Sequence, residues 1–428
     1  MSNSFSKEER VAFEDILEGF NDALVLSRNV SIYNTDSSMM ERTNNVIYRP
    51  QPYIAQSYDG MDQTGNFTAY TQLSVPATLG FQKSVPFILD ALELRDALQE
   101  GRLGEAAKQK LASDINLAIM NVAATQGSLV VTVSTAAGDY DDIALCDSIM
   151  NEQGVQSFDR YLALSSRDYN GLAGNIAGGA GGASVSRSFA GNKSNNAFER
   201  SYVGQVAGFD TYKLDYANRL TGATGADPTM STLAAANNFY VPQATQTAVT
   251  GETQNVDNRF QTITVSSTTD LPVGTAIEIQ GVEAVHHITK QGTGFSKTFR
   301  VVSVTNATTC VITPPIISAQ GGTDAELQYQ NCIVTAAAGR TINRLNTTTA
   351  PVNAFWQKDA LEILPGRYSV PSDAGVAVMR ASTDQGIELV MQKQYDVNTM
   401  KTKYRLDTLF GVVNKQPEMS GILLFNQA

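Results

Sequence analysis

Histidine is almost missing from this chain: His286 and His287 are the only two among 428 residues, and they are neighbours. On a strand, adjacent side chains point to opposite faces, so the pair is badly placed to chelate one metal or to work as one catalytic couple. A surface or hairpin pair is the simpler reading. A Ser-His-Asp or Cys-His arrangement would have to run through these two residues, yet no GxSxG elbow or reactive-cysteine context accompanies them. Cysteine is nearly as scarce. Cys146, Cys310 and Cys332 are odd in number and far apart, which excludes a disulfide framework and a CxxC metal site and leaves three small buried hydrophobes. Basic residues are outnumbered 31 to 42, giving a net charge of −11, and a chain so acidic has no sequence-independent grip on DNA phosphates. No apolar run reaches about 18 residues. The opening MSNSFSKEERVAFEDILEGF has neither an apolar h-region nor a cleavage site, so synthesis in a reducing cytoplasm is expected, without export or membrane insertion. The run GNIAGGAGGASVSRS, Gly174 to Ser188, lacks the Gly-Lys-Ser/Thr of a phosphate cradle and reads as a flexible loop. Carboxylates are plentiful, but no spacing brings two of them to the ~5–9 Å that glycoside hydrolysis needs. No catalytic, cofactor-binding or metal-ligating residue is therefore assigned.

What the chain does have is length and pattern. It exceeds the size at which one core usually keeps growing, so two or more domains, or one domain with an insertion, is expected. Phe13, Ile16, Leu17, Phe20 and Leu24 recur at helical spacing, with Ser6 and Glu9 placed as a capping box. The other face of this helix carries Glu14, Asp15 and Glu18, which reads as a solvated surface or, more rarely, a dock for a basic partner. From Val46 to Val85 aromatic and β-branched residues alternate with polar ones around Gly60 and Gly65, as in a long two-stranded projection that must lie on something else. From Phe87 to Gln126 the pattern is helical, with Leu111, Ile115, Ala118 and Val122 on one face, Gly101 and Gly104 expected to break or kink it, and Gly127 as its stop.

Beyond it lie a strand at Ser128–Ser134, a helix at Asp142–Gln153, the strand-like RYLALSS leading to Asp168, and a mobile Gly-rich stretch from Gly171 to Asn196. Between about Thr221 and Asn346 the style changes to short β runs, RFQTITVSS, TAIEIQGV, KTFRVVSV and TTCVITPP, spaced as in a small antiparallel barrel or sandwich inserted into the chain. NAFWQKDALEILPG and the segment Ile387–Gln427 then return to mixed order, completing the interrupted sheet. The fold class is α+β.

Four stretches carry a family resemblance: NVAATQGSLVVT (Asn121–Thr132), QVAGFD (Gln205–Asp210), NVDNRFQTITVSSTT (Asn255–Thr269) and NAFWQKDALEIL (Asn353–Leu364). With the element order, they make nearly the whole chain resemble the major coat proteins of short-tailed lambdoid phages of the P22 type. The resemblance implies the HK97 capsid fold, with residues 1–45 as N-terminal arm, 46–86 as E-loop, 87–134 as spine helix and peripheral-domain strand, 135–221 as axial domain and part of the peripheral domain, and 347–428 as their completion. Residues 222–346 would be an immunoglobulin-like or telokin-like I-domain, with a D-loop at 237–255 that bridges capsomers. It further implies an icosahedral shell of hexamers and pentamers, of the T=7 kind, assembled in the host bacterial cytoplasm with a scaffolding protein and a portal protein and expanding as double-stranded DNA is packaged. That DNA would be only weakly contacted, and no membrane or cofactor is involved. Glu14, Asp15 and Glu18 coincide with the family's acidic arm motif and are the expected scaffold-docking residues; Tyr240, Gln243, Thr247 and Glu252 are the expected D-loop contacts. The D-loop run VPQATQTAVTGETQ carries one charge where the family pattern has Asp and Lys, which favours polar or backbone contacts there. Two rivals, a β-rich adhesion or carbohydrate-binding protein and a carboxylate-dependent hydrolase, account for less of the chain.

Overall fold

A computed structural model describes residues 5, 7–33, 46–90, 97–138, 140–176, 200–223, 225–230, 239–335, 339–370 and 375–427. The chain divides into two compact units: Met1–Tyr48 with Pro76–Met120 and Leu361–Val413, and Arg49–Val75 with Asn121–Ala360 and Asn414–Ala428.

The first unit is built from helices and one sheet. Helix α1 (Lys7–Ala23) sinks Phe13, Ile16 and Phe20, and Leu24 is buried just beyond its end, but Leu17 of the predicted apolar stripe is only half-buried. Helix α2 (Ala97–Gln126) buries Leu111, Ile115 and Ile119, and its last turn belongs to the second unit. Two expectations for this region are corrected. Residues 87–90 close a strand, Phe81–Asp90, and the helix is described only from Ala97; a short apolar run such as PFIL fits either periodicity, and pairing with Lys401–Phe410 decides it. Nor do Gly101 and Gly104 break α2. A Cβ at Gly104 would lie 2.5 Å from Ile16 Cδ1, so this glycine is a notch that seats α1. Asn116 of α2 ties off the far end of α1, donating to the Ala23 carbonyl at 3.2 Å and accepting from the Leu26 amide at 3.3 Å. In the sheet, strands 31–32, 361–365, 401–414, 388–396 and 377–382 follow one another, with 81–90 also on 401–414. Its cross-strand partners Phe81–Phe410 and Phe87–Tyr404 stack at 5.3 and 5.2 Å, the pairing that stabilises one sheet face.

In the second unit a six-stranded mixed sheet runs in the order 129–132, 420–424, 353–357, 160–165, 209–214, 205–206. The strands that follow the insertion thus fill the middle of a sheet begun before it, as expected. Helices α3 (Tyr140–Glu152) and α4 (Ser166–Ile176) cover the sheet through Ile143, Cys146, Met150, Tyr169 and Leu172, packed on Leu162, Phe209 and Phe355. The start of α4 is fixed by Asp168, whose Oδ2 accepts from the Ser165 hydroxyl at 2.7 Å and from Asn353 Nδ2 at 2.9 Å. Residues 171–176, expected in a mobile loop, are helical; the remainder of that stretch, through residue 196, lies outside the described residues.

The insertion is an antiparallel barrel with strands in the order 229–230, 340–344, 276–285, 292–306, 309–313, 261–264, and 332–334 added on 276–285. A Met230–Val265 bridge brings the first and last strands of that order together, which closes the seam between them. Its core includes Ile263, Ile277, Ile279, Phe299, Val301, Ile312, Ile342 and the thiols Cys310 and Cys332. All three cysteines are buried and unbridged.

Candidate assembly surfaces

Three parts of the chain are exposed in ways that folding alone does not require. On α1, Glu14, Asp15 and Glu18 are exposed, opposite the buried stripe. Glu14 and Glu18 stand one turn apart, where like charges repel. Ser6 of the expected capping box lies outside the described residues. Glu9 is buried, and its Oε1 accepts from Tyr404 Oη at 2.9 Å and from the ammonium of Lys393, which clamps the helix to the sheet of the first unit.

The second part is the excursion from Gln51 to Leu73. The long hairpin expected here pairs only at its root, Val46–Pro50 with Ser74–Thr78; between them the chain is irregular, because Pro52, Gly60 and Gly65 interrupt the alternation. Its root is held: the Gln51 amide donates to the Leu73 carbonyl at 2.9 Å, Tyr329 Oη to the Thr71 carbonyl at 2.9 Å, and the Thr71 amide to Gln328 at 3.0 Å. Its outer part presents Tyr53, Tyr58, Met61, Phe67 and Tyr70, with Met61 and Phe67 104% and 88% exposed. Five large exposed apolar side chains in so short a segment are more than a lone folded chain ordinarily leaves in water.

The third part is a hairpin, Thr245–Thr247 against Thr253–Asn255, in which every strand residue is exposed. A two-stranded ribbon is at best marginal in water, so its base matters. There Asn258, 5% exposed, works as a four-way tie. Its Oδ1 accepts from Tyr240 Oη at 2.9 Å and the Gln243 amide at 3.0 Å, while its Nδ2 donates to the carbonyls of Gln243 at 2.8 Å and Val256 at 3.0 Å. Arg259 beside it grips Asp257 through two bonds of 2.9 and 2.6 Å and donates to the Asn414 carbonyl at 2.9 Å.

A family model for the P22 coat protein, gene protein 5, matches residues 1–426. The chain belongs to that family. It is a phage major capsid protein with the HK97-like fold, a structural subunit of the virion shell and not an enzyme. Among solved structures it is similar to Mycobacterium phage Che8 at 11% identity, covering 94% of this chain and 90% of that one with a TM-score of 0.45. The bacteriophage PhiM1 mature capsid matches at 10% identity over 93% and 85% of the two chains, with a TM-score of 0.44. The CUS-3 coat protein I-domain is 33% identical and covers 29% of this chain and 98% of that one, with a TM-score of 0.22.

In this coat protein the expected D-loop residues separate into two groups. Thr247 and Glu252 are exposed on the ribbon. Tyr240 stands at the packed base: its hydroxyl holds Asn258, burial and then the charge of Asp257 push its pKa up to about 12, and it packs beside Leu73, Ile317 and Tyr329. Gln243 is exposed, but its backbone is held by Asn258. Residues 237–238 of the expected loop lie outside the described residues. Sequence reading passed over Asn258 and Arg259 as individual residues, although both sit inside the family stretch NVDNRFQ. The histidine pair lies in the turn between strands 276–285 and 292–306, as a hairpin pair, but half-buried and packed on other parts of the second unit. No group of three or more His, Cys, Asp or Glu side chains among the described residues could hold a metal.

Proposed function

We infer that this coat protein assembles through those three exposed parts, the face of α1 meeting a basic scaffolding protein and the excursion 51–73 and hairpin 245–255 meeting sister subunits. In that reading residues 1–45 are the arm, 46–86 the E-loop, 222–346 the I-domain and 237–255 its D-loop. The remaining segments 87–134, 135–221 and 347–428 are the spine helix with its strand, the axial region and the completion of both. One subunit fills hexamers and pentamers of a T=7 procapsid in the host cytoplasm, around a portal, and rearranges as double-stranded DNA enters. A chain of charge −11 repels that DNA weakly and does not hold it.

The observation that carries the scaffold assignment is the arrangement of α1. Its apolar stripe is consumed within the first unit, so the like-charged Glu14, Asp15 and Glu18 are not needed for folding and work against the helix by a few tenths of a kcal/mol for the Glu14–Glu18 pair. A basic partner relieves that repulsion and is drawn by it. At the D-loop one charge, Glu252, stands among exposed Thr and Gln, which favours polar and main-chain contacts between capsomers.

The experiment is triple charge reversal, E14K/D15K/E18K, with the coat protein coexpressed with its scaffold. Loss of scaffold capture and of uniform shells is expected, with the isolated subunit's urea midpoint unchanged. Undiminished, equally salt-sensitive scaffold binding would refute the assignment.

A further inference from the structure

The barrel meets the six-stranded sheet of the second unit through a small cluster of buried and half-buried ionisable side chains that the shell role does not account for. The turn 286–291 brings His287 Nε2 to 3.3 Å from Glu418 Oε2. The other Glu418 oxygen receives the ammonium of Lys297, a side chain 3% exposed. Lys297 also donates to Gln153 Oε1 at 3.4 Å, and the carbonyl of that same Gln153, just beyond α3, accepts from the His287 amide at 3.3 Å. One residue further on, Thr298 Oγ1 donates to the Ser128 carbonyl at 2.8 Å. His286 lies edge-on against Gly154, where a Cβ would be 2.9 Å from its Cε1, and its Nδ1 accepts from the amides of Ile288 and Thr289 at 3.3 and 3.2 Å. Lys290 closes the other side, donating to the carbonyls of Gln328 at 2.9 Å and Gln330 at 3.0 Å. Asn331 bonds the Glu418 carboxylate, and the Cys332 thiol stands near Lys297 and Glu418. His287 Nε2 is buried and makes no hydrogen bond despite its closeness to Glu418, so the ring is held in the clasp without being satisfied by it.

We propose that His287 is an acid-operated release for this clasp: as the medium falls below neutrality it takes up a proton by leaving Glu418, and the turn 286–291 lifts from Gln153 and Glu418 while the barrel and the sheet stay folded. The direction follows from the surroundings. Burial, and then Lys297, Lys290 and His286, lower the His287 pKa from 6.5 to about 4 against the opposing pull of Glu418. A lifted turn returns the imidazole to water and to its ordinary value. Between those two values the lifted form carries a proton that the clasped form cannot, so acid favours lifting, by up to about tenfold per pH unit. Burial works to raise Glu418, but the bonds it receives from Lys297 and Asn331 work against that and hold the carboxyl below its usual range. Its stabilising charge is lost only as pH falls below that range, in the same direction. Lys290, brought down to about 8 by burial, stays charged throughout, and Cys332, pushed up to about 12 by burial, stays neutral.

The test is hydrogen exchange of the full chain, read by mass spectrometry from pH 7.5 to 4.5 with each rate divided by its intrinsic chemical rate. Opening of the segment 285–298 is expected to rise by up to about tenfold per unit below pH 6.5, while strands 261–264 and 309–313 stay protected. H287Q should flatten that slope, H286Q should keep it, and K297M should open the turn already at pH 7.5. Because the chain has only two histidines, NMR of the labelled imidazoles gives a check that needs no variant: one ring should titrate between about 4 and 6.5, in step with the opening of the turn. A ring pair titrating near 6.5, a slope that survives H287Q or disappears in H286Q, an unchanged turn in K297M, or acid exchange that spreads through the whole barrel each overturns the proposal.

Discussion

Replacing Gly104 by alanine separates two physical readings of the long helix. If the glycine only weakens α2, G104A stabilises the chain by about 1 kcal/mol, the usual difference in helix propensity. The structure gives the opposite sign, because the new Cβ would lie 2.5 Å from Ile16 Cδ1 and Ile16 is 5% exposed. Forcing a methyl into such a contact costs about 1–3 kcal/mol, so the net effect should be a loss of about 1 kcal/mol. Ile16→Val removes the offending Cδ1 and leaves Cγ1, which is 3.4 Å away and in ordinary contact. In that background G104A should stabilise again, giving a coupling of about 2 kcal/mol between the two sites. The assay is a double-mutant cycle from urea midpoints of the four variants, below the concentration at which subunits associate. A gain of about 1 kcal/mol on G104A whatever stands at position 16 would mean that α1 is not seated at this notch.

Two further outcomes follow from other ties. Lys393→Met should destabilise the first unit by about 2–4 kcal/mol, since it strips the cation from Glu9, whose side chain is 6% exposed; thermal unfolding of K393M beside an E9Q/K393M double variant, which should recover part of the loss, checks it. Asn258→Ala removes four hydrogen bonds at the hairpin base, and hydrogen exchange across 241–256 should rise about tenfold or more, for a local loss of about 1–3 kcal/mol. Unchanged exchange there would show that the ribbon is held by something other than its base.

Periodicity carried the reading wherever burial is one-sided. The α1 stripe apart from Leu17, the face of α2 at Leu111, Ile115 and Ala118, and barrel-strand residues such as Ile263, Ile277, Phe299 and Ile312 are buried as their spacing selects. It failed where the same pattern has no partner. Tyr53, Tyr58, Phe67 and Tyr70 are interspersed with polar residues in the segment expected to be a hairpin, yet no strand lies beside them among the described residues. At Gly104 spacing predicts a break where the structure has a seat, because a glycine in a helix gives no local sign of which it marks. The acidic face of α1 was legible from spacing alone, whereas its role came from family resemblance. The clasp of Lys297, His287 and Glu418 was invisible, because Glu418 lies more than a hundred residues from the other two and only the closed fold brings them together.

The two ends of the barrel leave it side by side: Arg219–Leu220 pairs with Pro351–Ala350, and Asn346 bonds the Thr221 carbonyl at 2.9 Å. For the rest of the chain, the excursion between those points begins and ends in the same place, and so acts as a loop of almost no span. A lineage of such subunits can acquire, exchange or discard the whole module in a single genetic event without respacing the sheet it interrupts. For an engineer, the Leu220–Ala350 junction is a ready splice point at which a short turn, or a different folded cargo with neighbouring termini, can be joined.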